Sequence, residues 1–216
     1  HRLVVGTDRC LDDPRWRGTA ASRVLTMGIN HVEPGGAPLV TRLSGSVTMI
    51  KVSVGPLDNN AYLLQRTGGG SILIDAANDD DRLLKIIVDL PVDAIVTTHR
   101  HDDHWQALPS LASATGARLI CGQPDLEAIS EGAWVQGLIG VWDGDHIELG
   151  AEQLEVIGLV GHTPGSITLA YAGAGRMQQA RDALERAVAA HPGDSGLWLR
   201  LANAEAQLGH YDAALA

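Results

Sequence analysis

The chain has 216 residues, of which 26 are acidic and 16 are basic, so its formal net charge is −10 with histidine neutral. This acidity argues against a non-specific nucleic-acid binder, which needs a basic face to displace counterions from phosphates. Apolar residues make up 45 % of the chain, enough for a buried core, and no apolar run approaches the ~18 residues of a membrane-spanning helix.

The cysteines and the start of the chain bear on its location. Cys10 and Cys121 are far apart and lack the spacing of a metal site. No basic and then apolar leader of the secretory type is visible. We therefore expect a cytoplasmic protein without a disulfide framework.

The first segment, residues 1–46, is predicted to be an irregular leader. It shows no sustained hydrophobic period and is interrupted by Pro14, Pro34 and Pro38. Two explanations fit this segment equally. Either Met49 is the natural start and the preceding residues are upstream sequence, or an ordinary leader packs on the following domain.

Residues 47–172 predict a mixed α/β domain, because strands alternate with helices and then follow one another late in the segment. Asn78 is expected to cap a helix with acidic residues in its first turn. Gly116 is expected to end a helix that begins at Trp105. The predicted strands are Val47–Val54, Ala61–Gln65, Ser71–Asp75, Asp93–Thr97, Arg118–Cys121, 145–149, 152–159 and 166–171.

The last segment, residues 173–216, changes character. Arg176–Ala190 and Gly196–Gln207 are alanine-rich and have helical periodicity. Pro192 and Gly193 lie between them and predict the end of the first helix. The segment therefore predicts an α-helical hairpin.

One loop of the α/β segment carries potential metal ligands. The strand that ends at Thr97 leads into His99, His101, Asp103 and His104, with the spacing H-x-H-x-D-H. A loop at the carboxyl end of a strand in an open α/β sheet is where ligands bind. Imidazole and carboxylate groups suit zinc, and also iron or manganese. A solvated polar loop is the alternative interpretation.

The spacing within this loop allows one or two ions. His99 and His101, two apart on an extended segment, can face one ion, while Asp103 and His104 can face a second. Two ions a few ångströms apart would share a water whose pKa falls toward ~7, which supplies a hydroxide nucleophile at neutral pH.

A further ligand is expected from His162, which lies between two predicted strands. Gly161 permits close approach of the backbone, and Pro164 with Gly165 predicts a turn. A lone histidine in such a loop is more often structural, but the preceding H-x-H-x-D-H motif favours the role of a ligand.

Two motifs together carry a family resemblance. T-H-x-H-x-D-H at 98–104, followed about 60 residues later by G-H-T-P-G-S at 161–166, resembles the metallo-β-lactamase-fold hydrolases, in particular their glyoxalase II-like members. The resemblance covers residues 47–172 and includes D-N-N-A-Y-L-L at 58–64 and I-L-I-D-A at 72–76.

The resemblance implies roles for individual residues. His99, His101 and His162 match the ligands of the first metal, and Asp103 and His104 match part of the second site. Asp75 matches a position that supports the metal loops. A strand-end aspartate that bonds nearby backbone is the alternative for Asp75.

The chain departs from the family after residue 172. The family fold is a four-layer αββα sandwich, whose second half supplies an aspartate that bridges the metals and a last histidine. After His162 the remaining histidines are His191 and His210, and neither stands in the expected context. We therefore expect half of such a sandwich, a weakly held second ion, and one uncovered sheet face that favours dimerisation into a homo-oligomer.

Residues 175–216 resemble the tetratricopeptide repeat. Gly175 and Gly209 are 34 residues apart, as are Ala180 and Ala214, and this is the period of that repeat. The match amounts to about one and a quarter repeats, whereas stable arrays need roughly three. A natural fusion and an artificial junction near Gly173 both fit. The helices would dock a protein partner.

The motifs favour a zinc-dependent hydrolase with a small-molecule substrate. Metal-bound hydroxide would attack an ester, thioester or lactam carbonyl, and Asp103 would act as the catalytic residue that orients it and relays its proton. The glyoxalase-like motif favours a thioester or another small acyl substrate. The alternatives are a non-catalytic protein with one structural metal and a docking module, or an inactive truncated fusion that does not fold stably alone.

Overall fold

The computed structural model describes residues 4–5, 31–171, 184–189, 192–193, 197–198 and 201. Its strands are β1 (Val4–Val5), β2 (Leu39–Arg42), β3 (Val47–Val54), β4 (Asn59–Arg66), β5 (Ser71–Ile74), β6 (Ala94–Thr97), β7 (Arg118–Gly122), β8 (Leu138–Val141), β9 (His146–Leu149), β10 (Glu152–Gly158) and β11 (Ile167–Ala170). Its helices are α1 (Asp80–Ile87), α2 (Leu108–Thr115) and α3 (Leu126–Ala133), and short 3-10 turns cover Asp102–His104 and Gln123–Asp125.

The larger sheet has seven strands in the order β2-β3-β4-β5-β6-β7-β8. Strands β2 to β5 pair antiparallel, and β5 to β8 pair parallel. Every residue of β5 and β6 is buried, as expected for strands covered on both faces. Parallel strands end on the same side, and we call that side of the sheet the carboxyl edge and the opposite side the amino edge.

Other elements pack on both faces of this sheet. The helices pack on one face, where Leu83, Leu108 and Leu111 are at most 1 % exposed. The other face packs on a four-stranded antiparallel sheet with the order β1-β11-β10-β9. Leu154 and Leu169 of that second sheet are fully buried in the shared core. The predicted mixed α/β class is confirmed.

The outer face of the second sheet is covered at Ile157, which is 8 % exposed. It packs with Leu184, Val188 and Leu197 in a separate apolar cluster, and residues 184–189 are helical. The expectation that this face lacks a partner is therefore wrong at Ile157, because apolar positions of the C-terminal segment cover it. The expected homo-oligomer remains a prediction. The other residues of the predicted helical hairpin lie mostly outside the described residues.

The predicted leader contains regular structure. Leu39–Arg42 pairs with β3, and Val4–Val5 pairs with β11, so the expectation of an irregular segment is wrong at these residues. Strand β2 has only four residues, with Val40 62 % exposed, and such a short edge strand shows no clear period in sequence. Residues 6–30 lie outside the described part of the chain, and the division into three segments remains a prediction.

Several boundaries differ from those predicted. Asp79, not Asn78, takes the N-cap position of α1, with φ of 53°, and the Asn78 side chain accepts a hydrogen bond from Asp79 N at 2.7 Å. Helix α2 ends at Gly116 as predicted, with φ of 64°. It begins at Leu108 because a 3-10 turn precedes it. Helix α3 and strand β8 were not predicted. The described helices lack the length and the apolar character of a membrane span.

Candidate metal centre

The strand order brings distant polar residues to the carboxyl edge. Asp75 follows β5, and Thr98 and His99 follow β6, the next strand in the parallel part of the sheet. Asn59 begins β4, which is antiparallel to β5 and therefore starts at the same edge. The loop between β10 and β11 brings His162 across from the second sheet.

Three histidine side chains converge at this edge. His162 Nε2 lies 3.0 Å from His101 Nδ1 and 3.2 Å from His99 Nε2. One ligand nitrogen from each of the three residues lies within 4.8 Å of the others. Zinc–nitrogen bonds of about 2.0–2.1 Å in a tetrahedral site separate the nitrogens by roughly 3.3 Å. The three imidazoles therefore fit a single divalent ion such as zinc or iron.

Burial and the neighbouring rings keep His99 neutral. His99 is 1 % exposed, and this burial lowers its pKa from 6.5 to about 3. Electrostatic repulsion from His104, His162 and His101 adds to the lowering, whereas attraction by Asp103 opposes it. A neutral imidazole has a free lone pair, which metal coordination requires. His101 and His162 are exposed, so the outer side of the triad is open to a substrate.

Asp75 links the strand end to the metal loop. Its Oδ1 accepts a hydrogen bond from Thr98 N at 2.8 Å, and its Oδ2 accepts one from Thr98 Oγ1 at 2.9 Å. The same Oδ2 lies 2.8 Å from His104 Nδ1. Asp75 has φ of 57° and is 3 % exposed. It therefore bonds nearby backbone and orients a proposed ligand at the same time.

Asp103 and His104 lie beside the triad. The His104 ring centroid is 4.1 Å from that of His99, and His104 Nε2 is 4.0 Å from Asp103 Oδ2. Among the described residues, the group of three or more potential ligands consists of His99, His101 and His162. Asp103 and His104 lie outside that group, and their part in a second site remains a prediction.

Asn59 is a site residue to which sequence analysis assigned no role. Its side-chain Nδ2 donates to the backbone O of Asp103, and lies 3.0 Å from Asp103 Oδ2. The two residues are 44 positions apart, so spacing alone does not reveal the contact. The signal in the sequence was the position of Asn59, which follows a turn and begins a strand within the motif D-N-N-A-Y.

Comparison with known families identifies the fold. The family model of the metallo-beta-lactamase superfamily matches residues 54–177. The chain belongs to the metallo-beta-lactamase superfamily. A tetratricopeptide repeat model matches residues 171–216, so both predicted resemblances are confirmed.

Individual members of the superfamily show how far the likeness extends. The chain is 33 % identical over 118 residues to a hydroxyacylglutathione hydrolase of Fuscovulum blasticum. The aligned residues cover 54 % of this chain and 44 % of that protein. A hydroxyacylglutathione hydrolase of Aliivibrio fischeri is also 33 % identical over 118 residues, covering 54 % of this chain and 43 % of that protein. The chain therefore spans less than half the length of these relatives.

Solved structures support the fold. A B3 metallo-beta-lactamase with an active-site glutamic acid superposes with a TM-score of 0.50 and 25 % identity, over 73 % of this chain and 63 % of that one. The rubredoxin oxygen:oxidoreductase of Desulfovibrio gigas superposes with a TM-score of 0.50 and 20 % identity, over 62 % of this chain and 39 % of that one. Because the second protein is an oxidoreductase, the superfamily fold alone does not specify the reaction.

Proposed function

We propose that the chain is a zinc-dependent hydrolase that acts on a small acyl substrate, with a thioester preferred over an ester or a lactam. The observation that carries this proposal is the convergence of His99, His101 and His162 beside Asp103. The similarity to hydroxyacylglutathione hydrolases supports the thioester. The net charge of −10 supports a small molecule rather than a nucleic acid as the substrate.

The residues of the site have distinct roles in this proposal. His99, His101 and His162 would hold the ion, which when bound supplies Lewis acidity to polarise a carbonyl and lower the pKa of water. Asp103 orients the attacking water and accepts its proton at Oδ2, and Asn59 holds that carboxylate in place. The fixed position of the Asp103 carboxylate beside the three histidines suits it to act as a general base.

The proposal has three further parts, which concern the metal, a protein partner and the location. Iron or manganese would suit a site of this kind as well as zinc, and a second ion would rest on Asp103 and His104. The C-terminal repeat-like residues would dock a protein partner, and we place the protein in the cytoplasm.

A second candidate function is a non-catalytic protein with one structural metal. The observation in its favour is that the described residues offer a three-ligand group only at His99, His101 and His162. The two candidates differ in metal stoichiometry and in turnover, so one experiment separates them.

The test measures both quantities on the purified chain. Zinc, iron and manganese content is determined by mass spectrometry, and hydrolysis of a hydroxyacylglutathione, an aryl ester and a lactam is followed by absorbance. We expect bound metal and thioester turnover. His101→Ala, at an exposed ligand, should lower zinc affinity more than about 100-fold, since losses beyond the first ligand shell alone cost about 10–100-fold.

His146→Ala is the matched control, because His146 is an exposed histidine on β9 outside the triad. It should leave metal content and turnover unchanged. Bound metal without turnover of any substrate would favour the structural candidate. Failure of the chain to bind any of the three metals would contradict both.

A further inference from the structure

We infer that Asp125 is a positioning residue that joins the two ligand loops and sets His162 against His99 and His101 before an ion binds. This inference rests on the proposed metal centre. Asp125 lies at the end of the 3-10 turn that follows β7, at the carboxyl edge, and is fully buried at 0 % exposure.

The Asp125 carboxylate is bonded to both loops. Its Oδ2 accepts a hydrogen bond from the backbone N of Arg100, at 3.0 Å, and Arg100 lies between His99 and His101. The same Oδ2 accepts from Thr163 Oγ1, and Oδ1 accepts from Gly165 N at 2.9 Å. Thr163 directly follows His162. One carboxylate therefore fixes the backbone next to all three proposed ligands.

The backbone around Asp125 is shaped to allow this contact. A Cβ atom on Gly165 would lie 2.4 Å from Asp125 N, and one on Gly122 would lie 1.9 Å from Gly165 O. Any side chain at either position would force the His162 loop away from the turn. The Thr163 hydroxyl is held in turn by Ser166, whose Oγ lies 2.7 Å away.

The chemistry of a buried carboxylate explains why this contact is specific. An ionised carboxylate accepts but does not donate hydrogen bonds, and all three of its partners here are donors. A buried carboxylate is costly unless it is hydrogen-bonded. An amide in its place would direct an NH2 group toward a donor, so at least one contact between the loops would be lost.

A separate contact allows an Asp125 variant to keep its fold. Ile167 N donates to Thr98 O at 2.9 Å, which also joins the two sheets at this edge. The apolar core that the two sheets share, with Ile120 and Ile167 among its members, packs without this carboxylate. We therefore expect loss of the Asp125 contacts to loosen the spacing of the triad more than to unfold the chain.

The test uses Asp125→Asn in the full chain, with zinc affinity measured by competition with a chromophoric chelator and the site geometry by the visible absorption of bound cobalt. We expect zinc affinity to fall about 10–100-fold, the usual effect of losing an outer-shell partner, and the cobalt spectrum to change. A purely structural role would lower the unfolding midpoint and leave both metal measurements unchanged.

Three further variants serve as controls. Thr163→Val removes one donor and should weaken zinc binding, while Thr163→Ser keeps the hydroxyl and should restore the wild-type affinity; this pair tests the inference even if Asp125→Asn fails to fold. Asp93→Asn is matched in chemistry, because Asp93 Oδ2 accepts from Ser71 N at 2.8 Å at the amino edge. It should leave zinc affinity unchanged.

The outcomes separate this inference from the proposed function. If the wild-type chain binds zinc and cobalt, and neither Asp125→Asn nor Thr163→Val alters affinity or spectrum, the inference is overturned and the metal centre stands. If the wild-type chain binds neither ion, the metal centre and the inference both fail.

Discussion

Carboxylate side chains have different roles at the carboxyl edge and at the amino edge of the seven-stranded sheet. At the carboxyl edge, buried Asp75 is bonded to the His104 ring, a proposed metal ligand. At the amino edge, Glu152 of the second sheet accepts a hydrogen bond from Tyr171 OH and lies with Oε1 3.7 Å from Arg66 Nε of the first sheet. The first contact orients a ligand, whereas the second joins the two sheets.

This difference shows that residue type alone does not mark a functional position. Carboxylates accept hydrogen bonds at both edges, but only at the carboxyl edge do imidazole nitrogens converge within 4.8 Å among the described residues. Substitutions at the carboxyl edge should therefore change metal affinity or turnover. Substitutions at the amino edge should change stability alone.

The largest effect is expected for Asp75→Asn. Asp75 accepts from two groups of Thr98 and lies against His104, so the amide would leave a buried donor unpaired. We expect the free energy of unfolding to fall by about 2–3 kcal/mol and zinc affinity to fall about 10–100-fold. Urea denaturation and chelator competition measure the two quantities.

Asp93→Asn is the counterpart of that variant at the amino edge. It should lower the free energy of unfolding by about 1 kcal/mol or less, since Asp93 is exposed and its carboxylate accepts a hydrogen bond from the backbone of Ser71. Equal effects of Asp75→Asn and Asp93→Asn on zinc affinity would break the distinction between the edges.

An intermediate effect is expected for Asn59→Ala. The variant removes the amide that holds Asp103, so the proposed general base becomes free to rotate. We expect kcat to fall about 10-fold, part of the 10²–10⁴-fold that a positioned base supplies. Zinc held by the triad should not change, because in the described part of the chain the Asn59 side chain donates to Asp103 and not to His99, His101 or His162. Unchanged kcat would remove Asp103 from the role of base.

Much of the fold could be predicted because its signals are local. Strand β3 is itself a largely buried run of apolar residues. Gly116, whose backbone is in the left-handed conformation, ends α2 at the predicted position. Strand β8 and helix α3 were missed, because Gly140 and Gly132 lower the propensity of each segment. Gly132 is needed because a Cβ atom at this position would lie 2.8 Å from the Trp105 ring. This contact comes from tertiary packing and is not visible in the local sequence.

The sequence could predict the three histidines that the structure brings together and also Asp75, which bonds Thr98 and His104, but not the contacts of Asn59 or Asp125. His99 and His101 share one short motif, so their proximity follows from spacing. The approach of His162 depends on the β10–β11 hairpin and on how the second sheet packs. Asp125 lies 38 residues from Thr163 and 25 from Arg100, and only the fold brings these positions together.

An effect as small as that of Asp93→Asn is expected for Glu152→Gln at the amino edge. Burial opposes ionisation of Glu152, but hydrogen bonds from Ser46 and Tyr171 and the charge of Arg66 outweigh it and lower its pKa below the ordinary value of 4.5. Folding therefore favours the ionised form, and its contribution to stability is present above pH ~4.5 and is lost as the pH falls through the lower folded-state pKa.

Glu152→Gln lacks this titration and should be less stable than the wild type by about 1 kcal/mol or less at pH 7. The difference should shrink as the pH is lowered below ~4.5, as measured by urea denaturation at each pH. Zinc affinity at pH 7 should equal that of the wild type, because the contacts of Glu152 end on the two sheets and not on a ligand. A loss of zinc affinity in this variant would show that the amino edge also supports the metal centre, and the distinction between the two edges would fail.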